Sequence, residues 1–186
     1  MAKDSYKVVN VVASVTIDDE IDLYRIARKY KDIEWNPERF PGLIMRLIKP
    51  KACILMFHTG KMVVTGLSRE KDIDEVTKSI VEKIKNAGIA IKSEPKIKIQ
   101  NVVASGDLGS EINLDLASIL LKRAIYEPEV FPGLIFRMTE PKVAFLIFST
   151  GRIVIAGAKT EDIIKDGIKK LKEQLKELDI IKEKVS

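Results

Sequence analysis

The chain has 186 residues, 46% of them hydrophobic and 32% charged, with a formal net charge of +5 and a pI of about 9.1. That length holds one large domain or two small ones with a sizeable core, and the modest basic excess permits an acidic partner such as nucleic acid without requiring one. Cys53 is the only cysteine, which excludes an intrachain disulfide. No apolar stretch reaches membrane-spanning length, and Met1-Ala2-Lys3-Asp4 is not a signal peptide, so a soluble cytoplasmic protein is expected.

In chain order, the β-branched run Lys7–Ile17 reads as a strand. Ile21–Tyr30 reads as a short helix, with Asp18, Asp19 or Asp22 able to cap its start. Ile33–Trp35 suggests a brief strand, and Asn36–Gly42 a loop, because two prolines and a glycine forbid a central strand there. Three strands follow, Leu43–Ile48, Lys51–His58 and Lys61–Leu67, joined by hairpin-like turns at Lys49-Pro50 and Thr59-Gly60. A long helix closes the segment. Ser68 is its expected N-cap, Ile73, Val76, Ile80, Ile84 and Ala87 its apolar stripe, and Gly88 its stop.

The same text then recurs at an offset of 91 residues. Asn10-Val11-Val12-Ala13-Ser14 returns as Asn101-Val102-Val103-Ala104-Ser105, and Phe40-Pro41-Gly42-Leu43-Ile44 as Phe131-Pro132-Gly133-Leu134-Ile135. By direct count 25 of 58 ungapped positions are identical between Asn10–Leu67 and Asn101–Ala158. The second closing helix carries Ile164, Ile168, Leu171, Leu175 and Leu178. The period is that of a small domain rather than a solenoid repeat, so the expectation is a duplicated domain, residues 1–92 and 93–186, with a pseudo-twofold axis.

The strands are apolar on both faces. Val9, Val11, Ala13 and Val15 alternate with Val8, Asn10, Val12 and Ser14; Ala52, Ile54 and Met56 with Cys53, Leu55 and Phe57; Met62 and Val64 with Val63 and Thr65. One long helix per copy covers one face, and a sheet meant to be wet on the other would alternate apolar with polar. The second face therefore needs a partner: another chain, an apolar ligand or a nucleic-acid groove, unless the two copies pack sheet against sheet. Two features favour the groove. Phe40 and Phe131 stand at loop tips, each 17 residues before Phe57 or Phe148 at a strand end, which suggests paired wedges. Asn10 and Asn101 place an amide among valines on the same face, and the minor groove at A·T pairs offers only acceptors to such donors. Arg46, Arg137, Lys61 and Arg152 suit phosphates at the rim. One histidine, His58, and no phosphate-cradling glycine loop argue against a metal site, a cofactor or a catalytic triad.

The runs Gln100–Ser105, Tyr126–Leu134 and Phe148–Lys159 resemble the TATA-box-binding protein family, archaeal in type, over about Lys7 to Leu178. The resemblance implies an α+β fold, a pseudo-twofold duplicated saddle whose ten-stranded curved antiparallel sheet carries helices on its convex face. It implies a general transcription initiation factor that binds double-stranded DNA in the minor groove of an A·T-rich element and bends it. Phe40 and Phe57 would wedge one end, and Phe131 and Phe148 the other. Asn10, Asn101 and Thr65 would donate to bases over a floor of Val12, Val63, Leu55, Val103, Val154 and Leu146, with Arg46 and Arg137 on phosphates. Ala156 replaces the second threonine and donates nothing. Partners implied are transcription factor B, docking on Glu127, Glu129 and Val130, and the RNA polymerase pre-initiation complex. A duplicated apolar-ligand carrier or a homodimerising protein is the alternative that the open face allows.

Overall fold

A computed structural model describes residues 5–181. The first half forms β1 (Ser5–Thr16), α1 (Leu23–Lys29), β2 (Ile33–Glu34), β3 (Leu43–Ile48), β4 (Lys51–Met56), β5 (Lys61–Leu67) and α2 (Asp72–Asn86). The second repeats it as β6 (Lys96–Asp107), α3 (Leu114–Leu120), β7 (Ala124–Ile125), β8 (Leu134–Thr139), β9 (Lys142–Ile147), β10 (Arg152–Ala158) and α4 (Glu161–Glu177). The hydrogen-bonded strand order is β2-β3-β4-β5-β1-β6-β10-β9-β8-β7. The α+β class and ten-stranded antiparallel sheet expected from the sequence are what the chain adopts. Among the described residues no helix is long and apolar enough to cross a membrane.

The described chain divides into two compact units, one of residues 10–100 and one of residues 101–181 together with residues 5–9. β1 thus contributes its start to one unit and the rest to the other. In the second-repeat unit, the Tyr6 hydroxyl donates to Glu161 Oε1 at 2.7 Å, and burial with the adjacent carboxylate pushes the phenol up to about 12.

In the first-repeat unit the period-2 pattern sorts side chains as the sequence foretells. Val11, Ala13, Val15, Ile54 and Val64 are fully buried, and α2 lays Val76, Ile80 and Ile84 among the core residues. Val9, which belongs to the other unit, departs from that pattern and is 47% exposed. Of the three candidate aspartates, Asp22 caps α1, accepting from the Tyr24 N–H at 3.1 Å. Asp19 instead holds the segment before β6. It accepts from the Ser93 and Lys92 N–H groups and the Ser93 hydroxyl, bonds that hold its carboxyl below the usual carboxylate range.

Ser68 is not the cap of α2. Lys71 occupies that position without a side-chain bond. The first helical N–H groups are met by backbone carbonyls instead, Asp72 N to Arg69 O and Ile73 N to Glu70 O. The Asp72 carboxylate takes two bonds from the Arg69 guanidinium, at 2.8 and 3.1 Å. In the second repeat Thr160 stands where the first has Arg69, and its hydroxyl caps α4 through the Ile163 N–H. Gly88, at φ +85°, ends α2 in the left-handed conformation a helix stop favours.

The second-repeat core is the same shape built from different volumes. Ile54 is replaced by Phe145 and Met45 by Phe136, and these two rings stack with centroids 6.2 Å apart. The space comes from α4, where Gly167 replaces Val76. A Cβ at Gly167 would lie 3.0 Å from Ile155 Cδ1, 3.4 Å from Val143 Cγ2 and 3.5 Å from Phe145 Cζ. Close packing makes the pair interdependent. Gly167→Val is expected to cost about 1–3 kcal/mol by overpacking. Combined with Phe145→Ile, it should cost less than the sum of the two single changes when unfolding is followed in urea. Strict additivity would show that the two positions do not share their space.

Candidate nucleic-acid interface

The face of each unit opposite its long helix is built from transverse rows set by strand register. In the first repeat, Ile44, Leu55, Val63 and Ser14 lie in one row across β3, β4, β5 and β1. Arg46, Cys53 and Thr65 lie in the next. The second repeat matches with Ile135, Leu146, Val154 and Ser105, then Arg137, Ala144 and Ala156. Val12, Leu55, Val103, Leu146 and Val154 are half-buried, and Val63 is exposed, whereas their strand neighbours are buried.

The asparagines are held by β-bulges. Between β1 and β5 the register slips between Val11 and Ala13, and on the β5 side Gly66 adopts φ +86°. The slip turns the Gly66 N–H out of the ladder and onto Asn10 Oδ1 at 2.8 Å. The Thr65 hydroxyl adds a long bond to the same oxygen, at 3.4 Å. In the second repeat the Gly157 N–H, at φ +91°, donates to Asn101 Oδ1 at 2.7 Å. An N–H can only donate, so the oxygen end of each carboxamide is fixed at the bulge, and the two N–H donors occupy the opposite end of the planar group. Ala156, in the position of Thr65, supplies no hydroxyl.

The four phenylalanines form two pairs, one in each unit. Phe40 and Phe57 meet edge to face with centroids 6.0 Å apart, and Phe131 and Phe148 likewise at 6.1 Å. The tip loops fold the rings together: the Arg39 and Phe40 N–H groups both donate to the Asn36 carbonyl, as those of Val130 and Phe131 do to Glu127. Glycine leaves room for the rings to sit down on the chain. A Cβ at Gly42 would lie 2.7 Å from Phe40 Cε1, and one at Gly133 2.8 Å from Phe131 Cε1. Phe40 and Phe131 are 45% and 40% exposed. Beside Phe57 a cleft of about 440 Å³ is bordered by Ser14, Thr16, Pro41 and Val63. Its counterpart beside Phe148, about 680 Å³, is bordered by Ser105, Asp107, Arg152 and Val154.

Arg46, Arg137, Lys61 and Arg152 are exposed, as are Glu127, Glu129 and Val130 in the second tip loop. One contact escaped the sequence reading: Arg46 Nη1 donates to Glu34 Oε1 at 3.0 Å. The signal was available only through register. Glu34 pairs with Ile44, which sets its side chain diagonally across from Arg46 on the same face.

Two repeats, each with one helix-covered face and one open apolar face edged by arginine and a phenylalanine pair, define a duplicated sheet protein with an uncovered strand face in each copy. The family model of transcription factor TFIID (or TATA-binding protein, TBP) matches residues 5–87 and again 96–178. The chain is 48% identical over 173 residues to the TATA-box-binding protein of Sulfolobus acidocaldarius, covering 93% of this chain and 88% of that one. It is 45% identical over 177 residues to that of Pyrobaculum aerophilum, covering 95% and 89%. The structure of Methanococcus jannaschii TBP superposes with a TM-score of 0.86 at 44% identity, covering 93% of this chain and 99% of that one. The chain belongs to the TATA-box-binding protein family, which comprises transcription factors and not enzymes.

The half-buried rings should matter little to folding. Phe57→Ala and Phe148→Ala are expected to lower the unfolding free energy by about 0.5–1.5 kcal/mol, the scale of an aromatic pair contact. Phe145→Ala, in the core, should cost about 3–5 kcal/mol. Equal losses in chemical denaturation would place all three rings in the core.

Proposed function

We propose that the chain is a general initiation factor that lays the open strands of its repeats in the minor groove of an A·T-rich TATA element and bends the duplex. The observation that carries this reading is the bulge-anchored pair Asn10 and Asn101, whose acceptor ends are bound by glycine N–H groups. Each carboxamide thereby turns its two N–H donors away from the bulge, over an apolar floor of Val12, Leu55 and Val63, or Val103, Leu146 and Val154. The A·T minor groove is the complementary surface. It presents only acceptors, and a G·C pair would push an amino group into the floor. In the first repeat the Thr65 hydroxyl, held to Asn10 Oδ1 only by a long 3.4 Å bond, turns its single proton to a base acceptor when the duplex is bound. Arg46 and Arg137 take phosphates, which position without reading sequence.

Phe40 with Phe57, and Phe131 with Phe148, act as wedges between base steps. Insertion of apolar side chains that unstack and kink the duplex is the established behaviour of TATA-box-binding proteins, and it is carried over to this chain as part of the proposal. The halves that act are the repeats 1–92 and 93–186. The complex forms in the cytoplasm, at the nucleoid. It recruits transcription factor B through the acidic tip loop with Glu127, Glu129 and the 81% exposed Val130, and through that factor RNA polymerase. The first loop has Asn36, Glu38 and Arg39 at those positions, so only the second suits a basic partner surface.

Asn10→Asp and Asn101→Asp preserve the acceptor for the glycine N–H and remove the donors. Each is expected to keep the fold and to weaken binding to an A·T-rich duplex by about 1–3 kcal/mol, read by band shift against a G·C-rich control. Undiminished binding by both variants would remove the asparagines from base reading.

The partner site has its own test. Glu127→Arg with Glu129→Arg should abolish the supershift by transcription factor B while the binary DNA complex persists, and Glu38→Arg should do much less. Normal recruitment by the double variant would place the partner elsewhere.

A further inference from the structure

The two arginines that edge the open faces are identical in register and opposite in company. Arg46 sits across from Cys53 and Arg137 across from Ala144, each on the strand next to the edge strand of its repeat. In the first repeat the edge strand places Glu34 opposite Ile44, and the carboxylate binds the Arg46 guanidinium at 3.0 Å. In the second the edge strand places Ile125 opposite Ile135, in the slot of Glu34. Ile125 is 55% exposed and brings no charge, and Arg137 has no ion pair among the described residues. The first edge therefore holds an ion pair, and the second an arginine without one among the described residues.

We propose that Glu34 competes with the DNA phosphate for Arg46, so that the first repeat grips the duplex backbone less tightly than the second. This rests on the reading of the open face as a nucleic-acid surface. A phosphate reaching Arg46 must displace the carboxylate or share the guanidinium with it, and sharing sets two negative groups side by side. Both partners are more than half exposed, at 57% and 64%, so the pair adds little to folding, and exchanging it for a phosphate is a small perturbation. At Arg137 the phosphate meets no competitor. The inequality adds a difference in backbone affinity between repeats whose floors are nearly alike.

The test is fluorescence anisotropy of a labelled A·T-rich duplex, titrated with the full chain across a series of salt concentrations. Glu34→Gln is expected to tighten binding about two- to five-fold at low salt, the range of a surface ion pair, and to steepen the salt dependence. Ile125→Glu should weaken binding by a similar factor. In an Arg46→Ala background, Glu34→Gln should bring no gain. The proposal is overturned if Glu34→Gln binds like the parent, or gains equally with and without Arg46. Phe57→Ala and Phe148→Ala run alongside: if neither weakens binding, the nucleic-acid reading itself fails. If they do and Glu34→Gln is silent, only the competition is refuted. Thermal unfolding of each variant verifies the fold, which substitutions at the exposed Glu34 and Ile125 leave intact.

Discussion

A pleated sheet has two faces, and each repeat of this chain has one long helix with which to cover them. Val76, Ile80 and Ile84 in the first repeat, and Ile168, Leu171 and Leu175 in the second, close one side. The alternating residues of the same strands have no such cover although they are nearly as apolar. Everything distinctive about the open side follows from that shortage. Its aliphatic rows remain accessible, its ring pairs sit at strand ends rather than in the core, and its amides are oriented by backbone N–H groups rather than by packing. A surface of this kind is stable because the folded core lies on the other face, and the side chains of the open face are spared from holding the chain together.

Duplication let the copies diverge in two ways. Inside, change is compensated: a phenylalanine enters at 145 where a helix residue shrinks to glycine at 167, and the backbone plan is retained. Outside, change is free. The outward positions of α1 carry Arg25, Arg28 and Lys29, whereas the corresponding positions of α3 carry Leu116, Ile119 and Leu120, with Ile119 78% exposed. The tip loops and the edge strands differ in charge in the same manner. Interior positions are coupled through volume and surface positions are not, so two copies of one element plan carry different exteriors.

Most of the architecture was legible in the sequence because it rests on periodicity written twice. The face assignments of Val11 against Val12, and of Ile54 against Leu55, need only the period of a strand, and the repeat at an offset of 91 confirms each assignment independently. The paired Phe-Pro-Gly loops were legible for the same reason. What escaped depends on contacts that periodicity does not encode. The start of α2 looked like a serine cap, but backbone turns and the Arg69–Asp72 ion pair made one unnecessary. Asn10 was visible as an anomaly, yet its orientation required the bulge at Gly66, and bulges depend on register between strands far apart in sequence. The Glu34–Arg46 pair was hidden likewise, since 12 residues of separation say nothing until two strands are aligned.

Trp35 stands at the head of the first tip loop and is the only tryptophan in the chain. Its ring meets Tyr24 edge-on, with centroids 4.6 Å apart, and its indole nitrogen is buried. The second repeat has Tyr126 in that place. Light emitted at tryptophan wavelengths therefore originates in one repeat alone, a few residues from Phe40. The protein carries its own optical label, which distinguishes the two otherwise similar halves and reports on the loop of the first without any added dye.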